Sequence, residues 1–150
     1  MKNRVLVIIV TYNGMKWIDR CFGSLKESEE PVDVFVVDNG STDGTVARIR
    51  EICKGWFLET TSDGGGWWLV DLVETHENLG FGKANNLGLE YALDNGYQYV
   101  YLLNQDAWVN KDTFTALIGS FEKNPSYGVL SPIQTAADGD RLDPNFSCCC

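Results

Sequence analysis

Four polar clusters in the chain hold the residue types that could do chemistry: Thr11-Tyr12-Asn13, Asp38-Asn39-Gly40-Ser41, Asn78 through Asn86, and Asn104-Gln105-Asp106. A carboxylate such as Asp106 offers hard oxygen to Mg2+ or Mn2+. Asp38 offers an acceptor to an N–H donor, or a cap to the turn that follows it. Lys83 follows Gly80 and Gly82 where a helix is predicted to begin, and free backbone N–H groups at such a start favour an anion. Each cluster also has a plain structural reading. Asp106 could cap the helix near Lys111, Lys83 could be a solvated helix residue, and Tyr12 could simply pack. His76 is the single histidine, with no nucleophile elbow beside it, and reads as a loop residue.

The elements that position these clusters follow from the apolar pattern. Val5–Val10 and Val32–Val37 are short runs rich in β-branched residues, the signature of parallel strands buried on both faces. Between them, Trp17, Ile18, Cys21, Phe22 and Leu25 recur at helical spacing over Met15–Lys26. Ser41-Thr42-Asp43-Gly44-Thr45 supplies capping chemistry for a helix running to Lys54. Trp56–Thr60 and Trp67–Glu74 read as strands, as a hairpin or an extended surface loop. A helix over Lys83–Asn95 with Gly96 at its C-terminal end, a strand over Tyr97–Leu103, a helix over Lys111–Glu122 and a short strand over Gly128–Ser131 complete the pattern. Alternating strands and helices predict an α/β fold of three layers, a mainly parallel sheet with helices on both faces. In such a sheet ligands bind outside the carboxyl ends of the strands, where these clusters fall.

At 150 residues, 44% of them apolar, the chain is long enough for one hydrophobic core. We expect a domain over residues 1–133 and a polar tail over 134–150. The formal charge of −9 argues against nucleic acid or anionic membrane as partners, because both are bound by neutralising phosphate with Lys and Arg. No run approaches the length of a membrane span, and the apolar stretch after Arg4 stops at Thr11, too short for a leader. A cytoplasmic location is expected. Cys21 and Cys53 fall in predicted helices and read as core residues. Cys148-Cys149-Cys150 lack the spacing of a zinc site.

The phrases VTYNG (10–14), VVDNGSTDGT (36–45), ENLGFGKANNLG (77–88) and LLNQDA (102–107) resemble the family 2 inverting glycosyltransferases of the GT-A fold, with bacterial rhamnosyltransferases nearest in character. The resemblance covers residues 4–133. It implies a Rossmann-like nucleotide-binding half. It also implies transfer of a sugar from a UDP- or dTDP-sugar donor to a saccharide or lipid-linked acceptor in surface-polysaccharide assembly. The residues carried over are Thr11, Tyr12, Asn13, Asp38 and Lys83 at the nucleotide, and Asn78, Gly82, Asn86, Asn104 and Gln105 at the donor. By spacing, Asn85 faces the same cleft as Asn86, with one of the two expected to be structural. Asp106 is the metal ligand for Mg2+ or Mn2+, the family's Asp-any-Asp pattern appearing here as Asn104-Gln105-Asp106.

Two departures stand out. Relatives usually reach the ENLGFG phrase through one short strand, whereas a longer Trp-containing stretch, with Trp56, Trp67 and Trp68, intervenes here. Family members also run well beyond this length, and their second half carries the acceptor site and the general base. The resemblance therefore implies a donor-binding half, with its base beyond residue 150, prone to self-association and at most peripheral to a membrane in a longer form. Two other classes stay open. One is a non-catalytic nucleotide or nucleotide-sugar binding module. The other is a nucleotidyltransferase, which would want a Gly-rich basic loop where Tyr12-Asn13-Gly14-Met15-Lys16 stands.

Overall fold

The computed structural model describes residues 4–54 and 68–143, so the predicted strand over Trp56–Thr60 lies outside the described residues. The first of two compact units ends at Asp112. Its elements are β1 (Val5–Thr11), α1 (Ile18–Lys26), β2 (Val32–Asp38), α2 (Thr45–Lys54), β3 (Trp68–Glu74), α3 (Phe81–Asp94) and β4 (Tyr99–Asn104). All strand pairs are parallel, in the order β3-β2-β1-β4. The α/β reading therefore holds.

The chain steps from β1 to β2 to β3 in one direction, then returns across the sheet to β4. With right-handed crossovers, α1 and α2 fall on one face and α3 on the other. The contacts agree: α1 touches α2, while α3 touches β1, β2 and β4. Every residue of β1 and β2 is buried, which is why β1 is apolar up to Thr11 and β2 is apolar except for Asp33 and Asp38. Leu6, Ile8, Val10, Phe35 and Val37 form one core layer with Ala84 and Ala92 of α3. A Cβ at Gly88 would sit 2.7 Å from Ile8, so the glycine lets α3 lie close on β1. Asp33, one of two buried aspartates of β2 with Asp38 at its carboxyl end, accepts a hydrogen bond from the Tyr97 hydroxyl at 2.7 Å. Burial first, and then this carboxylate, push the Tyr97 phenol up.

Helix α1 starts three residues later than the apolar spacing predicts. The N–H groups of Trp17 and Ile18 both turn back to the Gly14 carbonyl, so the helix opens only after that turn. Helix α3 ends as expected: Asn95 caps it and Gly96 follows at φ 65°, a left-handed conformation that glycine adopts without strain. Cys21 and Cys53 are buried and free. Burial, with a smaller push from the Asp106 charge, raises the Cys21 thiol to about 12. Burial alone raises Cys53 to about 12. Both thiols are inert core groups.

The second unit begins at Thr113. It contains α4 (Thr113–Lys123), which buries Phe114 and Ile118, and an antiparallel bridge between Thr135 and Leu142. The strand predicted over Gly128–Ser131 does not form. No ladder partner pairs with it among the described residues, and Val129 is 87% exposed. None of the described helices is long and apolar enough to cross a membrane.

Candidate functional site

The carboxyl ends of three strands are level, with Thr11 paired to Asp38 and Val10 to Asn104. The connection leaving β1 runs to β2, on the opposite side from its neighbour β4, so the chain reverses between β1 and β4. Open parallel sheets place their ligand crevice at such a point. A cleft of about 280 Å³ opens there, lined by Val10 of β1 and Tyr12 just after it, Asn39 after β2, Asn78 and Phe81 at the start of α3, and Asn104 at the end of β4 with Gln105 and Asp106 after it.

The loop after β1 is held by side chains on both sides. Its four successive N–H groups each donate to a different residue: Tyr12 to Gln105 Oε1 at 3.0 Å, Asn13 to Ser41 Oγ at 2.9 Å, Gly14 to Thr45 Oγ1 at 2.9 Å, and Met15 to Asp43 Oδ2 at 3.1 Å. Asn13 Oδ1 in turn accepts the Thr42 N–H at 2.9 Å. The STDGT run thus laces the β1 loop to the β2 loop, and it also caps α2 as its composition predicts, Asp43 Oδ1 accepting the N–H of Thr45, the first residue of that helix, at 3.1 Å. These N–H groups are committed to protein acceptors, so this loop is no phosphate-binding nest.

Asp38 organises the same junction. Its Oδ1 accepts the Thr11 hydroxyl at 2.8 Å and the Ser41 hydroxyl at 2.5 Å. Its Oδ2 accepts the N–H groups of Gly40 at 3.2 Å and Ser41 at 2.8 Å. A carboxylate offers about four acceptor sites, and four donors occupy them here. At 2% exposed, Asp38 stands behind the cleft wall rather than on it. The structure therefore gives it the turn-capping geometry, with no lone pair open to a base N–H.

After β4 the chain makes a β-turn, the Ala107 N–H donating to the Asn104 carbonyl at 3.0 Å, with Gln105 and Asp106 at its centre. Asp106 is exposed at the cleft. It makes no helix cap, since α4 begins only at Thr113.

Of the residues expected at the site, the structure brings Tyr12, Asn78, Asn104, Gln105 and Asp106 onto one cleft. Thr11 lies buried behind the cleft, committed to Asp38, and Asn13 is exposed but does not line it, its Oδ1 taken by the Thr42 N–H. Gly82, Lys83 and Asn86 are exposed and do not line the cleft. Asn85, expected beside Asn86, instead turns inward, and its Nδ2 donates to the Phe81 carbonyl one turn back at 3.0 Å. Two lining residues were missed. Asn39 was read only as part of a strand-end cluster; it is buried and its Oδ1 accepts the Leu79 N–H at 3.3 Å. Phe81 is 57% exposed at the first position of α3, and an aromatic flanked by two glycines at a helix start was the available signal.

The sheet and its carboxyl-edge cleft define a parallel α/β domain, and comparison with known proteins gives it a family. Residues 6–147 match Glycosyl transferase family 2, and the chain belongs to that family. It is 30% identical over 142 residues to N-acetylglucosaminyl-diphospho-decaprenol L-rhamnosyltransferase of Mycobacterium tuberculosis (strain ATCC 25618 / H37Rv), covering 89% of this chain and 42% of that protein. It is 24% identical over 145 residues to dTDP-rhamnosyl transferase RfbF of Shigella flexneri, covering 96% and 43%. Among solved structures, S. aureus TarS 1-349 in complex with UDP-GlcNAc superimposes with a TM-score of 0.64 at 23% identity, over 89% of this chain and 38% of that chain. The mannosyltransferase PcManGT from Pyrobaculum calidifontis, in complex with GDP-Man and Mn2+, gives 0.64 at 24%, over 91% and 36%. These two likenesses carry the fold. The chain spans about two fifths of the length of the curated relatives it matches.

Proposed function

We propose that this chain binds the nucleotide-sugar donor of an inverting glycosyltransferase, a UDP- or dTDP-sugar whose glycosyl group goes to a saccharide or lipid-linked acceptor. One observation carries the reading: Tyr12, Phe81, Asn78, Asn104 and Asp106 meet at a single cleft at the reversal point of a parallel sheet. Family membership and the two rhamnosyltransferase relatives support it. In this reading Tyr12 and Phe81 supply apolar walls for the base or sugar, and Asn78 and Asn104 supply amide donors and acceptors. Asp38 and Thr11 act from behind, by holding the loop that carries Tyr12.

Among the described residues no three His, Cys, Asp or Glu side chains gather as a metal cage. Asp106 is thus the one carboxylate on the cleft, with Asn104 beside it in the same turn. That donor set fits a Mg2+ or Mn2+ ion that arrives with the diphosphate, because such ions are commonly held by one or two carboxylates with phosphate and water completing the shell. Once bound, the ion would neutralise charge on the departing diphosphate. Exposed Tyr127, Val129 and Ile133 in the second unit favour self-association of the chain.

Calorimetric titration of UDP and dTDP, in Mn2+ and in EDTA, tests the reading. Binding in Mn2+ should weaken about tenfold or more in EDTA and in Asp106→Ala, a difference of about 1.4 kcal/mol per factor of ten. Equal affinities in the two buffers would remove the metal. Lack of binding by either nucleotide would remove the donor site itself.

A further inference from the structure

The side chain of Gln105 spans two loops that are far apart in sequence. Its Oε1 accepts the Tyr12 N–H at 3.0 Å and its Nε2 donates to the Tyr12 carbonyl at 3.1 Å. This is the pairing that a neighbouring strand would offer a backbone residue, made here by one primary amide. Tyr12 is 48% exposed and lines the cleft. Gln105 itself sits in the turn closed by Ala107 N–H to Asn104 carbonyl, next to Asp106. The two hydrogen bonds therefore tie the Tyr12 backbone to the turn that carries the candidate metal carboxylate.

Gly14 makes room for this arrangement. A Cβ there would lie 2.2 Å from Gln105 Oε1 and 2.8 Å from its Cδ. Those atoms are the far end of a flexible side chain, so an alanine would evict the amide at little cost to the fold. The backbone of Gly14 is anchored independently through Thr45 Oγ1. Glycine at this position is a steric requirement of the clamp and not of the turn.

We propose that Gln105 is a positioning residue. It fixes the spacing between Tyr12 on one wall of the cleft and Asp106 on the other by acting through the Tyr12 backbone, with one bond at each end of its amide, rather than by contact with the donor. The proposal rests on the donor-binding reading and assigns Gln105 a different part in it. Asparagine, one methylene shorter, would not span the same gap. Glutamate would accept from the Tyr12 N–H but present a second acceptor to the Tyr12 carbonyl, so it should retain only half of the clamp.

The test combines amide hydrogen exchange by NMR with nucleotide titration on the full chain, unsubstituted and as Gln105→Ala, Gln105→Glu and Gly14→Ala. In Gln105→Ala and Gly14→Ala, the Tyr12 and Ala107 amides should exchange roughly fivefold to tenfold faster, while Met15, held by Asp43, stays unchanged. UDP affinity in Mn2+ should fall by a similar factor, and the ratio between Mn2+ and EDTA should shrink. Gln105→Glu should fall between, and the double variant Gly14→Ala with Gln105→Ala should match either single one, since both remove the same contact. Two results would overturn the proposal. One is weaker UDP binding in Gln105→Ala with Tyr12 exchange unmoved, which means direct ligand contact. The other is faster Tyr12 exchange with affinity and metal ratio unmoved, which means a purely local bond. Should the unsubstituted chain bind no nucleotide, the donor reading fails, and the exchange data decide the clamp alone: unchanged Tyr12 and Ala107 rates would sink it.

Discussion

Thr11 and Asp38 are register partners on adjacent strands, and the Thr11 hydroxyl donates across that pairing to Asp38 Oδ1 at 2.8 Å. The bond extends the β1–β2 ladder by side chains at the level where the backbone must leave the sheet. Asp38 then gathers Gly40 and Ser41, so one buried carboxylate fixes the exits of two strands.

Truncating this hub should therefore be a folding defect before it is a binding defect. Asp38→Ala leaves two backbone N–H groups and two hydroxyls without their acceptor, and should cost about 2–4 kcal/mol by urea denaturation. Asp38→Asn keeps a carbonyl oxygen for the N–H groups. It faces its amide toward hydroxyls that can rotate to accept, so it should stay within about 1 kcal/mol of the parent. Equal losses in the two variants would contradict the four-donor geometry.

Position 88 tests the packing of α3 on the sheet. Alanine there gains helix propensity of about 1 kcal/mol but meets three Ile8 side-chain atoms at under 3 Å, and overpacking typically costs about 1–3 kcal/mol. Gly88→Ala should destabilise the parent by about 1 kcal/mol. In an Ile8→Ala background the same change should stabilise, because it fills part of the vacated space and keeps the propensity gain. A double-mutant cycle in urea reads the sign, and additivity would mean that α3 does not rest on Ile8.

How much of this was legible in the residues varies with the range of the interaction. β1 and β2 announce themselves because burial on both faces leaves an apolar run, unbroken in β1 up to Thr11 and interrupted in β2 only by Asp33 before the terminal Asp38. Asp106, Asn104 and Tyr12 were legible as strand-end groups, since a parallel sheet sends every such end to one side. The duties of Asp38 and Gln105 were not, because each depends on partners in other loops, up to 93 residues away for Gln105 and Tyr12. Local spacing also misled. It started α1 at Met15, whose N–H is already taken by Asp43, and it could not say which of Asn85 and Asn86 is the structural one, a part that falls to Asn85 through its bond back within α3.

Asp43 makes the loop sensitive to acid at a defined point. Burial pushes its carboxyl up, but hydrogen bonds from the Thr45 hydroxyl and from the Met15 and Thr45 N–H groups outweigh that and hold it below its ordinary 3.8. A carboxyl lowered in the folded state contributes stability that is complete above its unfolded value and is lost as pH falls through the folded one. Protection of the Met15 amide, corrected for intrinsic exchange, should be flat from pH 8 to about 5 and decline only below about 4. In Asp43→Asn it should be lower and independent of pH. A decline centred near neutrality would assign the anchor to another group.

Phe81 separates a binding surface from a merely tolerated exposed ring. More than half of its surface meets solvent although it is a large apolar residue at the first turn of α3, and its ring lines the cleft beside Tyr12 and Asp106. Because the side chain is not part of the core layer formed by Ala84 and Ala92, Phe81→Ala should change unfolding free energy by about 0.5 kcal/mol or less. Loss of an aromatic wall against a nucleoside or sugar should weaken UDP binding about fivefold to tenfold, of the order expected for one well-placed aromatic contact. Titration in Mn2+ and in EDTA should show the same factor in both, since the ring acts on the apolar part of the donor and not on its diphosphate. Unaltered affinity would make Phe81 a bystander at the rim, and a factor present only in Mn2+ would place it at the metal end of the cleft.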